Sequence, residues 1–345
     1  MNKRFQTTAE LVKGYCAKIS ADPLLVQGAG GNVSWKDGEV LWVKASGTWL
    51  VNAEIEEIFV PVDFVHLRTE MAEGKFTATP KVVGDKSLKP SIETMLHALM
   101  PHKIVLHLHA VEILAHLVRE NPLVNIQKLV GDAVKWVFVD YIKPGSELAQ
   151  AVSAQLAIHH DADVVFLKSH GLVIGGPSIE SIDIKLGKLL LQLETKPLQF
   201  EHNILSEILT TDFLNSSYVL SSDSNVNMLA ANTELISRIK NDWALYPDHI
   251  VFLGEEATIV SDARELVKLL KSAASPNFIF VMGKGVYESP QITNAHRAQL
   301  RCYYDVLTRQ VNSEKLISLS SMQVAELLNW DSEKYRQNIF LKSGS

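Results

Sequence analysis

Cysteine is scarce in this sequence: the 345 residues contain only two, Cys16 and Cys302, which lie far apart in the chain. A disulfide framework is therefore not expected, and we predict a reducing, cytoplasmic location. The sequence also lacks any apolar run of about 18 residues, and its charged start is unlike a signal peptide, so we predict no membrane-spanning segment. The formal net charge of -6 at pH 7 offers no electrostatic basis for binding nucleic acid or an anionic membrane.

Hydrophobic residues, in contrast, make up 47% of the chain, which is ample for a globular core, and the length exceeds one typical domain. The pattern changes after a predicted helix that ends near Pro197. We predict a first domain at residues 1–204 and a small α/β extension at residues 205–345. In the extension, HIVFLG at 249–254 and NFIFVMG at 277–283 are interpreted as strands.

Two histidines lie at the end of an apolar strand predicted for KIVLHLHA, residues 103–110. Side chains alternate along a strand, so His107 and His109 share one face, where their ring nitrogens can converge on a single ion. The alternative is a pair of surface or hydrogen-bonded histidines at a strand end. The residues nearby favour the metal site.

A glutamate and a third histidine accompany this pair. The helical pattern ETMLHALM begins close to Pro90 and places Glu93 in a first turn, where the helix dipole favours a carboxylate. His170 follows a second buried strand at 164–167. Three neutral imidazoles with one open position are typical of a catalytic zinc site, and no cysteine is near them to suggest a structural one. We therefore predict bound Zn²⁺ or another divalent metal.

Two loops rich in glycine and small polar residues precede the histidine strand. The first, QGAGGN at 27–32, lacks the third glycine of a dinucleotide fingerprint and is followed by a predicted hairpin, which disfavours a Rossmann interpretation. The second contains Ser46 and Gly47. Backbone N–H groups in such loops can approach an anion closely because glycine adopts the required conformations. The loops therefore predict a phosphate cradle, and two ordinary tight turns are the alternative.

Six motifs resemble, in order and spacing, those of the class II aldolase/adducin family. They are GGNVS (30–34), KASG (44–47), PSIETMLH (90–97), LHLHA (106–110), DYIKPG (140–145) and SHGLVIGG (169–176). The similarity extends over roughly residues 8 to 200. Within the family, the chain resembles the aldolase part of rhamnulose-phosphate aldolase/dehydrogenase type proteins, and we expect no dehydrogenase part here.

The resemblance implies a three-layer α/β/α sandwich with a mainly antiparallel central sheet, followed by the small α/β extension. It also implies a metal-dependent aldolase that cleaves a ketose 1-phosphate, such as rhamnulose or fuculose 1-phosphate, to dihydroxyacetone phosphate and an aldehyde. In that reaction Glu93 carries a substrate proton, and Tyr141 protonates the leaving group from across a subunit interface. By its position at a strand end alone, Tyr141 is more typical of a packing residue.

The remaining implied site residues fall into two groups. The metal ligands are His107, His109 and His170. The phosphate-binding positions are Gly31, Asn32, Ser46, Gly47 and Ser91. The family also implies a homo-oligomer, expected to be a tetramer with active sites between subunits, and a small-molecule sugar phosphate as the ligand.

The chain departs from its relatives where two hydroxyl donors are expected. Gly30, preceded by Ala29, stands where relatives have a threonine or serine two residues before Asn32, and Ile92 stands in place of a second serine after Ser91. Either Lys44 and Lys89 compensate, or the bound anion is not a terminal phosphate. Sugar-phosphate 4-epimerisation and decarboxylation use the same type of site and stay open, as does a non-catalytic, adducin-like binding module, although such modules lose the metal ligands that this chain retains.

Overall fold

The computed structural model of the protein describes residues 7–85, 87–200, 216–272, 275–311 and 313–329. The predicted boundary between residues 204 and 205 lies outside these residues. Among the described residues, no helix combines the length and the apolar character needed to cross a bilayer.

Among the described residues up to Phe200, seven strands and seven α-helices form a mixed α/β order. The strands are β1 (Asn32–Asp37), β2 (Val40–Lys44), β3 (Phe59–Asp63), β4 (Ile104–Leu108), β5 (Trp136–Val139), β6 (Val164–Leu167) and β7 (Gly171–Gly176). The helices are α1 (Thr8–Ser20), α2 (Phe64–Ala72), α3 (Thr94–Leu99), α4 (Val111–Leu117), α5 (Pro122–Val130), α6 (Ser146–Ile158) and α7 (Ile179–Gln192). The predicted histidine strand and the predicted hairpin are both confirmed.

The seven strands form one sheet in the order β3-β2-β1-β4-β7-β6-β5. Every neighbouring pair is antiparallel except β5 and β6, which are parallel. The strand with the two histidines lies at the centre, where both of its edges are hydrogen-bonded. The predicted mainly antiparallel sheet is therefore confirmed.

Helices cover both faces of this sheet, because the strands carry apolar side chains on both faces. On one face, Ile104 and Leu106 belong to a buried cluster that includes residues of α1, α4, α5 and α7. On the other face, Val105 and Val173 pack with α3 and α6, and a neighbouring cluster adds α2. The result is the expected three-layer α/β/α arrangement, and His107 lies on the same face as Val105.

The described part of the extension has a sheet of its own. Its strands are β8 (Val219–Leu220), β9 (Thr258–Val260), β10 (Phe278–Val281) and β11 (Gly285–Glu288), in the order β8-β11-β10-β9. Its helices are α8 (Ser224–Ala231), α9 (Thr233–Asn241), α10 (Pro247–Leu253), α11 (Ala263–Leu270), α12 (Asn294–Thr308) and α13 (Ser321–Leu328). The small α/β character is confirmed, and NFIFVMG contains a strand as predicted.

The strand predicted for HIVFLG is wrong, because these residues lie in α10 and its end. Every residue from Pro247 to Leu253 is buried, so the segment shows neither the alternation of a half-exposed strand nor the stripe of a surface helix. A short run that is apolar throughout does not distinguish the two. Pro247 at the first helical position and Gly254 after the last one are the local signals for a helix.

The extension packs directly against the first part of the chain through α4. Val111, Leu114 and Val118 of that region lie in the same buried cluster as the aromatic core of the extension. A buried ion pair joins Arg309 Nε to Glu112 Oε1 at 2.7 Å. The two parts therefore share apolar and charged contacts rather than being joined only through the chain.

Buried histidines make the folding of the extension sensitive to acid. Burial lowers the pKa of His249 to about 3, and burial together with Arg297 lowers the pKa of His296 to about 4. An unfolded chain has histidine pKa values of about 6.5. The unfolded state therefore takes up protons first, so this stability is fully present above about pH 6.5 and is lost as the pH falls toward 4.

We expect His296→Gln to reduce this loss of stability in acid. Glutamine at the third helical position can still accept from the backbone N–H of Thr293, as His296 Nδ1 does, but it does not titrate. One titrating group changes the free energy of unfolding by up to about 1.4 kcal/mol per pH unit. Urea unfolding at pH 7.5 and pH 5 should show a smaller difference than in the wild type. Substitution of the exposed His160 by glutamine is the control; equal losses in all three proteins would refute the assignment.

Candidate metal centre

The register of the central strands brings the candidate site together. His107 of β4 lies opposite Asn32 at the start of β1 and opposite Val173 of β7. His109 follows two residues later, just past the end of β4, and His170 directly precedes β7. Three segments that are distant in sequence therefore meet at one end of the central strands.

A tight turn sets the position of His170. Ser169 before it has a left-handed backbone with φ of 49°, which is uncommon for a residue with a side chain and is often found at functional sites. Gly171 after it lies so close to β4 that a Cβ atom would be 2.3 Å from the carbonyl oxygen of Leu108. The glycine thus allows the turn to approach the histidine strand.

The three histidines face one another. One ring nitrogen from each of His107, His109 and His170 can be chosen so that all three lie within 4.8 Å of one another. The Nε2 atoms of His107 and His109 are 3.1 Å apart. All three rings are almost completely buried, and burial lowers the pKa of His107, so its neutral form is favoured.

In His107 and His109, the contact made by Nδ1 determines which ring nitrogen carries the proton. His107 Nδ1 lies 2.9 Å from the carbonyl oxygen of Leu172, which can only accept, so this nitrogen donates. His109 Nδ1 lies 3.2 Å from a carboxylate oxygen of Asp248, which favours a proton there as well. In the neutral rings, both Nε2 atoms then carry lone pairs that point toward the same small volume.

Glu93 adds a carboxylate to this volume. Its Oε2 lies 3.4 Å from His107 Nε2 and accepts a hydrogen bond of 2.7 Å from the amide of Asn32. Its Oε1 lies 3.4 Å from His170 Nε2 and, among the described residues, is buried without a hydrogen-bond partner. The residue occupies the N-cap position of α3, one place before the predicted first turn, and its side chain makes no capping bond. The carboxylate is directed at the histidines instead.

These donors suit a divalent cation. Two nitrogen ligands of one tetrahedral zinc ion lie about 3.3 Å apart, close to the 3.1 Å between the facing Nε2 atoms. The lone pairs of two nitrogen atoms at that distance repel each other. The buried Oε1 atom of Glu93, which makes no hydrogen bond with the described residues, also requires a polar partner. A cation held by the three histidines, with Glu93 beside it, resolves both features. The ligand assignments and the identity of the metal remain predictions.

A narrow pocket opens beside Glu93 and contains every predicted phosphate-binding residue. It is lined by Ala29, Gly30, Gly31, Asn32, Lys44, Ser46, Gly47, Ser91, Ile92, Glu93 and His109. A wider cavity adjoins it at Ser46, Ser91 and Ile92 and is bordered by the loop at 76–80. The two glycine-containing loops thus do meet at one pocket, next to the histidines.

Several of these groups already serve the protein itself. Lys44 is buried and donates from Nζ to the carbonyl oxygens of Ala29 and Thr48, at 3.0 and 2.6 Å. The ammonium therefore ties the first loop to the second and also places a positive charge at the pocket wall. Lys89 borders the wider cavity rather than the narrow one. Of the two lysines considered as replacements for the missing hydroxyls, Lys44 has the suitable position.

Tyr141 is not among the residues that line this pocket. Its ring packs against the apolar core of the extension, and its hydroxyl is buried without a hydrogen-bond partner in the described part of the chain. Burial, with a smaller contribution from Glu326, raises its pKa far above the ordinary value. Tyr141 of the single chain therefore does not line the pocket, and its role across a subunit interface remains a prediction.

Asp248 is a residue of the site that sequence reasoning does not identify. This residue lies on α10, directly before the segment predicted as a strand, and its side chain is 3% exposed. Its carboxylate contacts His109 Nδ1 at 3.2 Å and accepts from Gln299 Nε2 at 3.3 Å. The local pattern contains no signal for such a contact, since an aspartate near a helix start is common for reasons of the helix dipole alone.

Comparison with known proteins identifies the family of the first domain. Residues 14–182 match the profile of the Class II Aldolase and Adducin N-terminal domain. Residues 14–182 therefore form a domain of the class II aldolase/adducin family.

Three similar proteins illustrate the range of relatives. A Bacillus subtilis (strain 168) protein named Uncharacterized oxidoreductase YuxG is 28% identical over 178 residues, which are 47% of this chain and 26% of that relative. The N-terminal class II aldolase domain of a conserved Thermoplasma acidophilum protein is 26% identical, with a TM-score of 0.47, covering 56% of this chain and 95% of its own. YgbL from Klebsiella pneumoniae, described as a putative aldolase/epimerase/decarboxylase, is 19% identical, with a TM-score of 0.39, covering 61% and 99%.

We expect Gly171→Ala to destabilise the protein by at least about 2 kcal/mol, because the added Cβ collides with backbone at the centre of the sheet. Gly187→Ala is the matched control. Gly187 lies within α7 with open space around its Cβ position, and alanine there should stabilise the helix by about 0.5 to 1 kcal/mol. Chemical denaturation of both variants measures the difference; equal stabilities would contradict the close approach of β4 and the His170 turn.

We expect the purified protein to hold close to one equivalent of a divalent metal and His109→Ala to lose most of it, since a site with two imidazoles binds far more weakly than one with three. Mass spectrometry of metal content measures this directly. His159→Gln, at an exposed position, should retain the metal. A wild-type protein that remains metal-free after incubation with zinc would contradict the site.

Proposed function

We propose that this protein is a metal-dependent carbon–carbon lyase that cleaves a ketose 1-phosphate, with rhamnulose and fuculose 1-phosphates as the first candidates, to dihydroxyacetone phosphate and an aldehyde. The observation that carries the proposal is the convergence of three histidines and Glu93 beside a pocket with a buried ammonium. Zinc or another divalent cation, held by His107, His109 and His170, supplies Lewis-acid stabilisation of negative charge on substrate oxygens.

Glu93 is suited to carry the proton. In the cleavage, the bond between two substrate carbons breaks, its electrons pass into an enediolate, and the hydroxyl that becomes the aldehyde gives up its proton. A carboxylate beside the reacting carbons can accept a proton and deliver one to the enediolate carbon. Asn32 donates to Oε2 and so holds the carboxylate in one orientation, while Oε1 keeps its hydrogen-bonding capacity for another group. The hydroxyl of Tyr141, from across a subunit interface, is the proposed hydrogen-bonding partner of the aldehyde oxygen.

The neighbouring pocket is suited to an anion. Its walls combine the Lys44 ammonium with two loops of small residues, and Gly31 has a φ of 71° that turns the backbone of the first loop in a way that glycine readily allows. Phosphate is the anion that such backbone-rich loops commonly bind. We also propose a homo-oligomer, because in the single chain Tyr141 does not line the pocket.

The test is an assay of dihydroxyacetone phosphate released from both sugar phosphates by the zinc-loaded protein. We expect Glu93→Gln to lower kcat by about 10²- to 10⁴-fold, the usual contribution of a positioned proton carrier. The amide cannot take the proton but keeps the shape of the side chain. Glu57→Gln changes an exposed carboxylate and should leave kcat unchanged.

Other outcomes point to specific alternatives. Release of carbon dioxide, or conversion to the 4-epimer without net cleavage, from a metal-loaded protein would replace the lyase by a decarboxylase or an epimerase that uses the same centre. Unchanged activity in Glu93→Gln would remove the proposed proton carrier. Absence of both metal and turnover would favour a binding module of the adducin type.

A further inference from the structure

The extension contributes a charged side chain to the metal centre. Asp248 is the second residue of α10 and is almost completely buried, yet it bears a carboxylate. Burial of a charge without polar partners is strongly unfavourable. Two polar contacts of this carboxylate are with His109 Nδ1 of the first domain, at 3.2 Å, and with Gln299 Nε2 of α12, at 3.3 Å.

The contact with His109 has a chemical consequence. An ionised carboxylate oxygen only accepts hydrogen bonds, so it favours the histidine tautomer with its proton on Nδ1. The lone pair is then on Nε2, the atom that lies 3.1 Å from His107 Nε2. A metal ligand needs this tautomer and this ring orientation, and a carboxylate partner also makes the imidazole more basic.

The same task is performed for His107 by a backbone carbonyl. Its Nδ1 donates to the oxygen of Leu172, within the β4–β7 pairing. His109 lies just beyond the end of β4, where the ladder no longer supplies a neighbouring carbonyl. The side chain of Asp248 therefore takes the place that a sheet carbonyl has for the other ligand.

The surroundings leave the carboxylate and the ring in direct contact. A Cβ atom at Gly30 would lie 3.4 Å from Asp248 Oδ2 and 3.5 Å from His109 Nδ1, in ordinary contact with both. The glycine loop therefore passes against this pair without a side chain between them. Gln299 Nε2 of α12 donates to the same carboxylate oxygen, Oδ2, at 3.3 Å.

We propose that Asp248 is a positioning residue of the metal centre, and that the C-terminal extension thereby completes the site of the first domain. The inference depends on the proposed metal function. Its partner is a divalent cation, with zinc and cobalt as the probes, and Asp248 acts on that cation through His109 rather than as a ligand.

The test compares the full-length wild type with Asp248→Asn and with a control, Asp305→Asn. Asparagine preserves the shape of the side chain but removes its charge, and its amide can also present a donor to the ring. Asp305 is a similarly buried carboxylate of the extension that pairs with Arg301 at 2.9 Å. The dissociation constants for Zn²⁺ and Co²⁺ are measured by competition with a chromophoric chelator, and the free energies of unfolding are measured without metal.

We expect Asp248→Asn to weaken both metals by about 10- to 100-fold, the usual effect of losing the carboxylate partner of a ligating histidine. Asp305→Asn should bind both metals as the wild type does, even where it unfolds more easily. Equal affinities in Asp248→Asn and the wild type, or equal losses in both variants, would overturn the proposal. A wild type that binds neither metal would instead refute the proposed metal function itself.

A measurement on the wild type alone applies even if Asp248→Asn does not fold. Coupling between two sites is reciprocal, so if docking of α10 favours metal binding, the metal favours docking of α10. Zinc should slow amide hydrogen exchange in the peptide that contains Pro247–Leu253 more than in the peptide that contains Ala263–Leu270 of the same extension. Exchange in α10 that is unchanged by bound zinc would overturn the proposal.

Discussion

The register of β4 between β1 and β7 is the constraint on which the whole centre depends. It places His107 opposite Asn32, whose amide holds Glu93, and sets the Leu172 carbonyl against the His107 ring. A slip by one residue would exchange the two faces of the strand. His107 would then point into the layer of α1, α4 and α7, away from Glu93. The backbone hydrogen bonds that stabilise the sheet therefore also position the side chains of the candidate metal centre.

Much of this could be predicted from sequence because the relevant signals are local. The alternation predicted for residues 103–110 places His107 and His109 on one face, and glycines mark the turns beside the pocket. The buried strand before His170 indicates where the third ring appears. Assembly of these pieces then follows from strand pairing, which the order of motifs already implies. What the local pattern does not give is the direction of each ring, since that depends on contacts with Leu172 and Asp248.

The extension shows where sequence reasoning fails. The apolar run after His249 is buried on all sides, and such a run has no period that separates a strand from a helix. With α10 interpreted as a strand, Asp248 has no predicted place near a histidine from the other end of the chain. A contact between distant segments depends on how two domains pack, here through α4 and the Arg309–Glu112 ion pair. No single stretch of sequence carries that information.

The charges of the assembled site give a reason for the separate positions of its charged residues. When the imidazoles are neutral and the carboxylates are ionised, the two negative charges of Glu93 and Asp248 exceed the one positive charge of Lys44. A divalent cation in the proposed site would reverse that excess and so favour the binding of an anion. Lys44 ties the two glycine-containing loops together, whereas Asp248 contacts Nδ1 of His109, the ring nitrogen that does not face His107. In the proposed function, Lys44 would therefore contribute positive charge to the phosphate pocket, and Asp248 would act on the metal through His109.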